Sequence, residues 1–194
     1  MPKVGMPEIR KPQLIEATIS AIDEHGFPGA TVSVISKKAG VSPAIINHYF
    51  GGKDGLLEET MRSLIKEFFE VLHSELYLTR DGDIFEKAMA IVRASISQSQ
   101  TRPQVVKTWM GFWASAMHKP ALYRLQNVYS RRLLSCLVVV FRERFEKERA
   151  REIAFTVAAM IDGMWLRGSL AGGIDSQHAA NMINEYISFV LKQP

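Results

Sequence analysis

The fold is decided by residues 31–57, which read TVSVISKKAGVSPAIINHYFGGKDGLL. The first part carries apolar residues three and four positions apart, as a short amphipathic helix does. Gly40 then permits the positive φ of a tight turn. Ser42 and Pro43 are a favourable N-cap and first residue for a second short helix. Two short helices joined by a turn that contains glycine predict a helix-turn-helix motif.

The polar residues of this motif suit contact with a DNA duplex. In a helix-turn-helix, the N-terminal residues of the second helix meet base edges, while the first helix crosses the phosphate backbone. An asparagine can pair with adenine, a small alanine lets the helix approach a thymine methyl group, and hydroxyl groups at helix starts can reach phosphates. We expect a lysine just past the second helix to offer a mobile charge to phosphate. The predicted DNA-binding residues are Thr31, Ser33, Ser42, Pro43, Ala44, Asn47, His48, Tyr49 and Lys53.

Helical periodicity dominates the rest of the chain, and no alternating strand pattern stands out. Glycine and proline positions predict nine helices, near residues 10–25, 32–39, 43–50, 53–78, 84–100, 103–118, 121–147, 151–170 and 176–191. The predicted fold class is therefore all-α, with a three-helix head and a larger helical bundle. We predict a DNA-binding domain over residues 1–60 and a ligand-binding and dimerisation domain over residues 61–194. The fourth helix would join them without a flexible linker and carry ligand effects to the head.

Composition and motifs exclude several other classes of protein. One cysteine, Cys136, excludes an internal disulfide and a cysteine-rich zinc site, and we expect it to be a buried structural thiol. The five histidines lack metal-ligand spacing, and the chain has neither a G-x-S-x-G elbow nor a phosphate-binding glycine loop. No apolar run approaches the ~20 residues that span a bilayer, and no secretory signal precedes the head. We therefore expect a cytoplasmic protein without metal, cofactor, enzymatic activity or membrane contact.

The head resembles the TetR family of bacterial repressors over about 50 residues. The family features, in order, are Gly26 ending the first helix, Thr31 entering the second, AGVS at 39–42, the aromatic pair 49–50, and Lys53 followed by two leucines. We expect a palindromic operator bound by a dimer, because one recognition helix reads only a few bases. The pair Gly51–Gly52 departs from the polar residue common in the family, and we expect it to loosen the exit from the recognition helix.

Aromatic residues and one carboxylate recur in the second half of the chain. Trp109 and Trp113 lie four positions apart, and Asp162 and Trp165 lie three apart, so each pair shares one helix face. A quaternary ammonium has no N–H to donate, and aromatic faces can hold it through cation–π attraction. The predicted ligand-binding residues are Trp109, Trp113, Tyr129, Asp162 and Trp165. The alternative is an ordinary aromatic core.

In that alternative, Asp162 would pair with Arg131 or Arg167, because an aspartate on an otherwise apolar helix needs a partner.

Further resemblance runs along the whole chain, to choline-responsive members of the TetR family. It is carried by MPKVGM at the start, by the head, by WASAMHKPALYRLQNVYSRRLLS at 113–135 and by AAMIDGMWLRGSLAGG at 158–173. The resemblance implies choline as effector and control of genes that convert choline to glycine betaine, an osmoprotectant. The nearest alternative is a TetR-type repressor that responds to another cationic or lipophilic small molecule. A more distant one is a ligand-binding or enzymatic helical protein with an incidental helix-turn-helix.

Small and apolar residues recur on the last two helices. The stripes comprise Ala154, Ala158, Ile161 and GSLAGG at 168–173 on the eighth helix, and Ala180, Ile183, Ile187 and Val190 on the ninth. We predict that the two helices pair with their symmetry mates in an isologous four-helix interface. The family resemblance implies the same geometry.

Overall fold

The computed structural model describes residues 7–193, so the first six residues of the predicted head, with the MPKVGM stretch, and Pro194 lie outside it. Within that range the chain forms nine α-helices and no strand, which confirms the all-α class. They are α1 (Pro7–Gly29), α2 (Val32–Lys38), α3 (Pro43–Phe50), α4 (Lys53–Leu78), α5 (Ile84–Ser95), α6 (Pro103–Ala116), α7 (Pro120–Phe141), α8 (Lys147–Leu170) and α9 (Ser176–Leu191).

The first three helices and the start of α4 surround one apolar core. Gly26 interrupts regular helix in α1 with φ 70° and ψ 167°, close to the predicted stop. Gly40 makes the turn between α2 and α3 with φ 64°, and the Val41 N–H donates to the Ser36 carbonyl at 2.9 Å. Fully or almost fully buried side chains of this core are Leu14, Ile22, Ile35, Ile46 and Leu56. The turn and the core together fix the angle at which α3 leaves α2.

Two compact units make up the described chain. The first contains residues 7–65 and 103–125, so the head shares its unit with α6 and the start of α7. The second contains residues 66–102 and 126–193, with the C-terminal half of α4, most of α7, and all of α5, α8 and α9. The functional division near residue 60 stays a prediction.

The second unit is held by α9 packed against α5 and α8. Its α5 begins with a capping box, in which the Asp83 carboxylate accepts from the Glu86 N–H at 2.8 Å and Glu86 accepts from the Asp83 N–H at 3.0 Å. Several boundaries differ from the predicted ones. The helix α1 covers Pro7–Gly29 where 10–25 was expected, and α5 ends at Ser95 and not near residue 100. The helix α7 ends at Phe141 and not near residue 147, and α8 already begins at Lys147. Cys136, expected to be buried, is half-buried, and this partial burial raises the pKa of its thiol.

The predicted dimer stripe on α9 is wrong in its residues. Ile183 and Ile187 are 0 % exposed, and Val190 is also buried, because this face covers the core of its own chain. On α8, Ala154 and Ile161 are buried in the same way. The apolar side chains left exposed are Phe155, Leu166 and Leu170 on α8, and Met182 and Phe189 on α9.

One helix, α8, is long and apolar enough by composition to cross a membrane, contrary to the expectation from the sequence. Its mean hydropathy reaches 1.2, and 28 % of that window is buried within the chain. Ile153, Val157 and Trp165 form its buried face. Because one face packs on the chain's own core and the other is apolar and exposed, we interpret α8 as a packing helix of the second unit.

Candidate DNA-binding surface and ligand site

The recognition helix, α3, presents three predicted DNA-binding side chains to solvent. Ala44, Asn47 and His48 are exposed, while Ile45 and Ile46 are buried in the head core. The alternation follows the helical period, since residues one turn apart share a face. The structure therefore brings these three side chains together on one exposed surface of the head.

Hydroxyl groups lie at the starts of α2 and α3. Thr31 caps α2, and its Oγ1 accepts a hydrogen bond from the Val34 N–H at 3.3 Å. Ser42 caps α3 through its backbone alone, with no side-chain capping bond, and Pro43 follows as the first helical residue. Ser33 is exposed in the first turn of α2. Each hydroxyl keeps an O–H that can be donated to a phosphate oxygen.

The Tyr49 ring packs within the head and is only partly exposed to solvent. It is half-buried, it packs against the head core, and it contacts His48 edge to face at 5.0 Å between ring centroids. A second edge-to-face contact joins it to Phe50 at 6.4 Å. Tyr49 therefore helps to anchor the end of α3, a structural role that the sequence did not indicate.

Lys53 is less mobile than expected. Its Nζ donates a hydrogen bond to the Pro28 carbonyl at 3.0 Å. Partial burial, with a smaller contribution from the nearby charge of Lys119, lowers the pKa of the Lys53 ammonium. The charge therefore lies beside the C-terminal end of α1.

The two glycines after α3 form a left-handed cap at its exit, and the expected loosening stays a prediction. Gly51 adopts the left-handed conformation with φ 69°, and its N–H donates to the Asn47 carbonyl at 2.9 Å. Gly52 follows with φ 121°. Both values favour glycine, because a Cβ atom is disfavoured at positive φ.

The predicted aromatic ligand residues are divided between the two units. Trp109 and Trp113 lie on α6 in the first unit, with ring centroids 6.1 Å apart. Trp109 is buried and also contacts Phe112 edge to face at 5.7 Å, whereas Trp113 is half-buried. The i, i+4 prediction of a shared face is therefore confirmed for this pair.

In the second unit, Tyr129 belongs to an aromatic cluster that the sequence did not reveal. Its ring lies 5.4 Å from Phe68 and 6.1 Å from Phe69, both on α4. The guanidinium of Arg132 stacks over Phe69 at 3.9 Å, so this cluster already holds one cation on an aromatic face. The only feature of the sequence that could have indicated this cluster is the pair Phe68–Phe69 in α4, and two adjacent phenylalanines are equally typical of an ordinary core.

Asp162 has no hydrogen bond or ion pair to any of residues 7–193, so neither Arg131 nor Arg167 is its partner. Its side chain is exposed at the surface of the chain, yet the protein around the carboxyl group desolvates it and raises its pKa to about 6. Both observations fit a carboxylate in a surface recess. Burial, and secondarily the charge of Asp162, also raise the pKa of Tyr129.

Trp165 fits the aromatic-core interpretation. It is buried, and its Nε1 donates to the Ser95 carbonyl at 3.0 Å. The described residues contain no group of three His, Cys, Asp or Glu side chains that could hold a metal ion.

Two family models match the chain in succession. Residues 14–60 match the model of bacterial regulatory proteins of the tetR family, and residues 85–192 match that of the BetI-type transcriptional repressor C-terminal region. The chain belongs to the TetR family of bacterial regulatory proteins. It is accordingly a DNA-binding transcriptional repressor and not an enzyme, and members of this family act on operator DNA as dimers.

Individual relatives and solved structures resemble the chain over nearly its whole length. The HTH-type transcriptional regulator BetI of Burkholderia cenocepacia is 45% identical over 192 residues, which cover 98% of both chains. A transcriptional regulator structure from Pseudomonas aeruginosa PAO1 superposes with a TM-score of 0.82 at 28% identity, covering 96% of this chain and 92% of the other. A protein from Saccharomonospora viridis, solved in complex with choline, has the same fold, with a TM-score of 0.82 at 23% identity over 94% and 97% of the two chains.

Proposed function

We propose that this repressor responds to choline and controls genes that convert choline to glycine betaine, acting in the bacterial cytoplasm. Asp162 is the single observation that carries the proposal: a carboxylate without a protein partner among the described residues, close enough to Tyr129 to affect its pKa. A cationic ligand would supply the missing charge. Desolvation of the carboxylate without a partner costs free energy in the empty protein, and the ligand would recover part of that cost.

The chemistry of the remaining candidates agrees with a ligand that is cationic and cannot donate a hydrogen bond. Trimethylammonium is attracted to the faces of tryptophan and tyrosine rings, and each contact contributes roughly 0.5–2 kcal/mol. Trp109, Trp113 and Tyr129 supply such rings. Trp165 would contribute a ring face while its Nε1 stays bonded to Ser95.

Relatives support the same effector. The curated BetI regulators resemble this chain at 45% identity over nearly its full length, and a protein of the same fold binds choline. The alternative effector is another cationic or lipophilic compound held by the same aromatic residues. An exposed carboxylate favours a cation over an uncharged lipophile, because only a cation gains from the negative charge.

Operator binding would require two heads, and a second copy of this chain would cover the exposed apolar faces of α8 and α9. We propose an interface through Phe155, Leu166, Leu170, Met182 and Phe189. The two copies of α3 would then enter successive major grooves, about 34–36 Å apart or a modest multiple of that distance.

Calorimetric titration of the purified dimer tests the effector. The ligands are choline, glycine betaine, betaine aldehyde and the neutral isostere of choline, in which a tert-butyl group replaces trimethylammonium. We expect choline to bind and the isostere to bind at least about tenfold more weakly, since 1.4 kcal/mol is a factor of ten. Equal affinity for choline and the isostere would exclude the charge-based site and favour the lipophilic alternative.

Two variants locate the site. Asp162→Asn and Trp113→Leu should each weaken choline binding about tenfold or more while the chain stays folded. Tyr123→Leu is the matched control, because Tyr123 is an exposed aromatic residue outside the predicted site. Unchanged choline affinity in both site variants would place the ligand elsewhere.

A further inference from the structure

Two glutamine side chains of the second unit carry buried polar atoms that have no hydrogen-bond partner among residues 7–193. These atoms are the amide nitrogen Nε2 of Gln100 and the carbonyl oxygen Oε1 of Gln126. Gln100 is only 1 % exposed, and Gln126 is half-buried. Most buried polar groups of folded proteins are paired, because an unpaired donor or acceptor costs free energy. We therefore expect both atoms to bond a molecule other than the chain itself.

Gln126 lies beside the ligand candidates of α7 and α8. It precedes Tyr129 by three positions on α7, so the two side chains share one face of that helix. Burial, and secondarily the charge of Asp162, raise the pKa of Tyr129, which places the carboxylate close to this face. The unpaired oxygen of Gln126 is therefore near the carboxylate that is proposed to attract the cation.

Gln100 lies in the turn that follows α5. Its backbone N–H donates to the Ser97 carbonyl at 3.0 Å, which holds this turn against the end of α5. The same end of α5 is joined to α8, because the Ser95 carbonyl accepts the hydrogen bond from Trp165. Trp165 and Asp162 lie three positions apart on one face of α8. The turn with Gln100 therefore follows directly on the part of α5 that contacts the face with Asp162.

The two unpaired atoms are of opposite kinds, since one is a donor and the other an acceptor. A hydroxyl group can satisfy both, because its oxygen accepts a hydrogen bond and its O–H donates one. An alkyl group satisfies neither of them. A carboxylate only accepts, so it would leave the Gln126 oxygen facing a second acceptor. The pair of glutamines is thus suited to an alcohol.

We propose that Gln100 and Gln126 bind the hydroxyl group of a quaternary ammonium alcohol, with Gln100 donating to its oxygen and Gln126 accepting from its O–H. The inference deepens the proposed function, on which it rests for the cationic half of the ligand. Asp162 and the aromatic rings attract any trimethylammonium compound. The two glutamines add the selection of choline, which is an alcohol, over glycine betaine, which is a carboxylate.

Calorimetric titration of the full chain with choline and with ethyltrimethylammonium, which is choline without its oxygen, tests the proposal. The wild-type protein should bind choline at least about tenfold more tightly, because the analogue leaves both glutamine atoms unpaired. Gln100→Met and Gln126→Met replace the amide by an apolar chain of similar length. Each should lower the affinity ratio of the two ligands towards one and leave the affinity for ethyltrimethylammonium unchanged.

Gln98→Met is the matched control, because Gln98 is exposed in the same turn as Gln100. Its ratio of affinities should equal that of the wild type. Gln100→Met should not lower the thermal midpoint of the ligand-free protein, since it removes an unpaired buried donor. If that variant nevertheless fails to fold, Gln126→Met carries the test, because Gln126 is only half-buried.

The possible results separate the hydroxyl site from the proposed effector. Equal affinity of the wild type for both ligands would overturn the hydroxyl site and leave the cation site in place. Equal weakening of both ligands in the two variants would give the glutamines a structural role and would also overturn the proposal. Binding of neither ligand would contradict the proposed function, and the hydroxyl site would fail with it.

Discussion

The indole Nε1 of Trp165 and the backbone carbonyl of Ser95 are joined by a hydrogen bond of 3.0 Å, which ties α8 to the C-terminal end of α5. Both residues are buried. A tryptophan held in this way stabilises the second unit whether or not its face also contacts a ligand. Trp165 therefore cannot be treated like Trp113, although the sequence makes the two residues look equivalent.

Replacing Trp165 with Phe should lower the free energy of unfolding by about 1–3 kcal/mol, because the Ser95 carbonyl would be left buried and unpaired. Chemical denaturation monitored by circular dichroism measures the loss. Trp113→Phe is the control, since Trp113 is only half-buried. An equal loss in both variants would contradict the structural role assigned to the hydrogen bond.

Asn47→Ala should weaken specific operator binding by roughly 1–3 kcal/mol, the usual value of a bidentate contact with adenine. The thermal midpoint should change little, because Asn47 is exposed on α3. Fluorescence anisotropy with an operator selected from random duplexes and with a scrambled duplex measures both affinities. A parallel loss on the scrambled duplex would show that Asn47 contacts the backbone and not a base.

Charge substitutions on α9 should separate folding from dimerisation. Ile183→Glu should unfold the chain, because it buries a carboxylate in the core. Phe189→Glu should give folded monomers with reduced operator affinity, since Phe189 is 63% exposed on the opposite face. Size-exclusion chromatography with light scattering, together with circular dichroism, distinguishes the outcomes. A folded monomer from Ile183→Glu would restore the stripe that the sequence favoured.

Gly51→Ala should destabilise the head by about 1–2 kcal/mol, because alanine resists the left-handed conformation found there. Gly173→Ala is the matched control, since Gly173 has no positive φ and no atom near its Cβ position. Thermal unfolding of both variants measures the difference. Comparable midpoints would support the original view that the two glycines loosen this exit.

The raised pKa of Asp162 predicts two pH dependences. The folded state holds the Asp162 proton more tightly than the unfolded state, so this group favours folding below about pH 4 and loses that effect as pH rises through about 6. Stability of the wild type should therefore fall relative to Asp162→Asn across this interval. Choline affinity should rise over the same interval in the wild type, as the carboxylate ionises, and stay flat in the variant. Calorimetry at several pH values checks both, and a flat wild-type profile would remove Asp162 from the site.

Capping residues, glycines and prolines at helix ends made much of the helical structure predictable. The bounds of α3, α4 and α9 agree with the predicted ones, because Ser42–Pro43, Gly51–Gly52 and Asp175 mark these ends within a few residues. The boundary between α7 and α8 was predicted wrongly because no such signal is present there. Residues 142–150 read RERFEKERA and contain neither glycine nor proline, so nothing local marks the turn.

Long-range packing accounts for the errors at the candidate sites. The apolar stripe of α9 was identified correctly, but periodicity does not say whether a stripe covers its own core or a partner's. The bond between Trp165 and Ser95 spans 70 positions, and the Lys107–Asp23 pair spans 84. Such contacts arise only from the folded chain, so the assignment of α6 to the unit of the head could not be predicted.

The hydrogen bond between Lys53 and the Pro28 carbonyl has a consequence for the entropy of DNA recognition. A free lysine side chain carries about 2 kcal/mol of rotamer freedom, and ordering it against a phosphate consumes part of this on binding. Lys53 surrenders some of that freedom when the head folds. In the predicted contact of Lys53 with phosphate the side chain would thus be partly preorganised, and Pro28, at the C-terminal end of α1, would influence DNA affinity without touching the duplex.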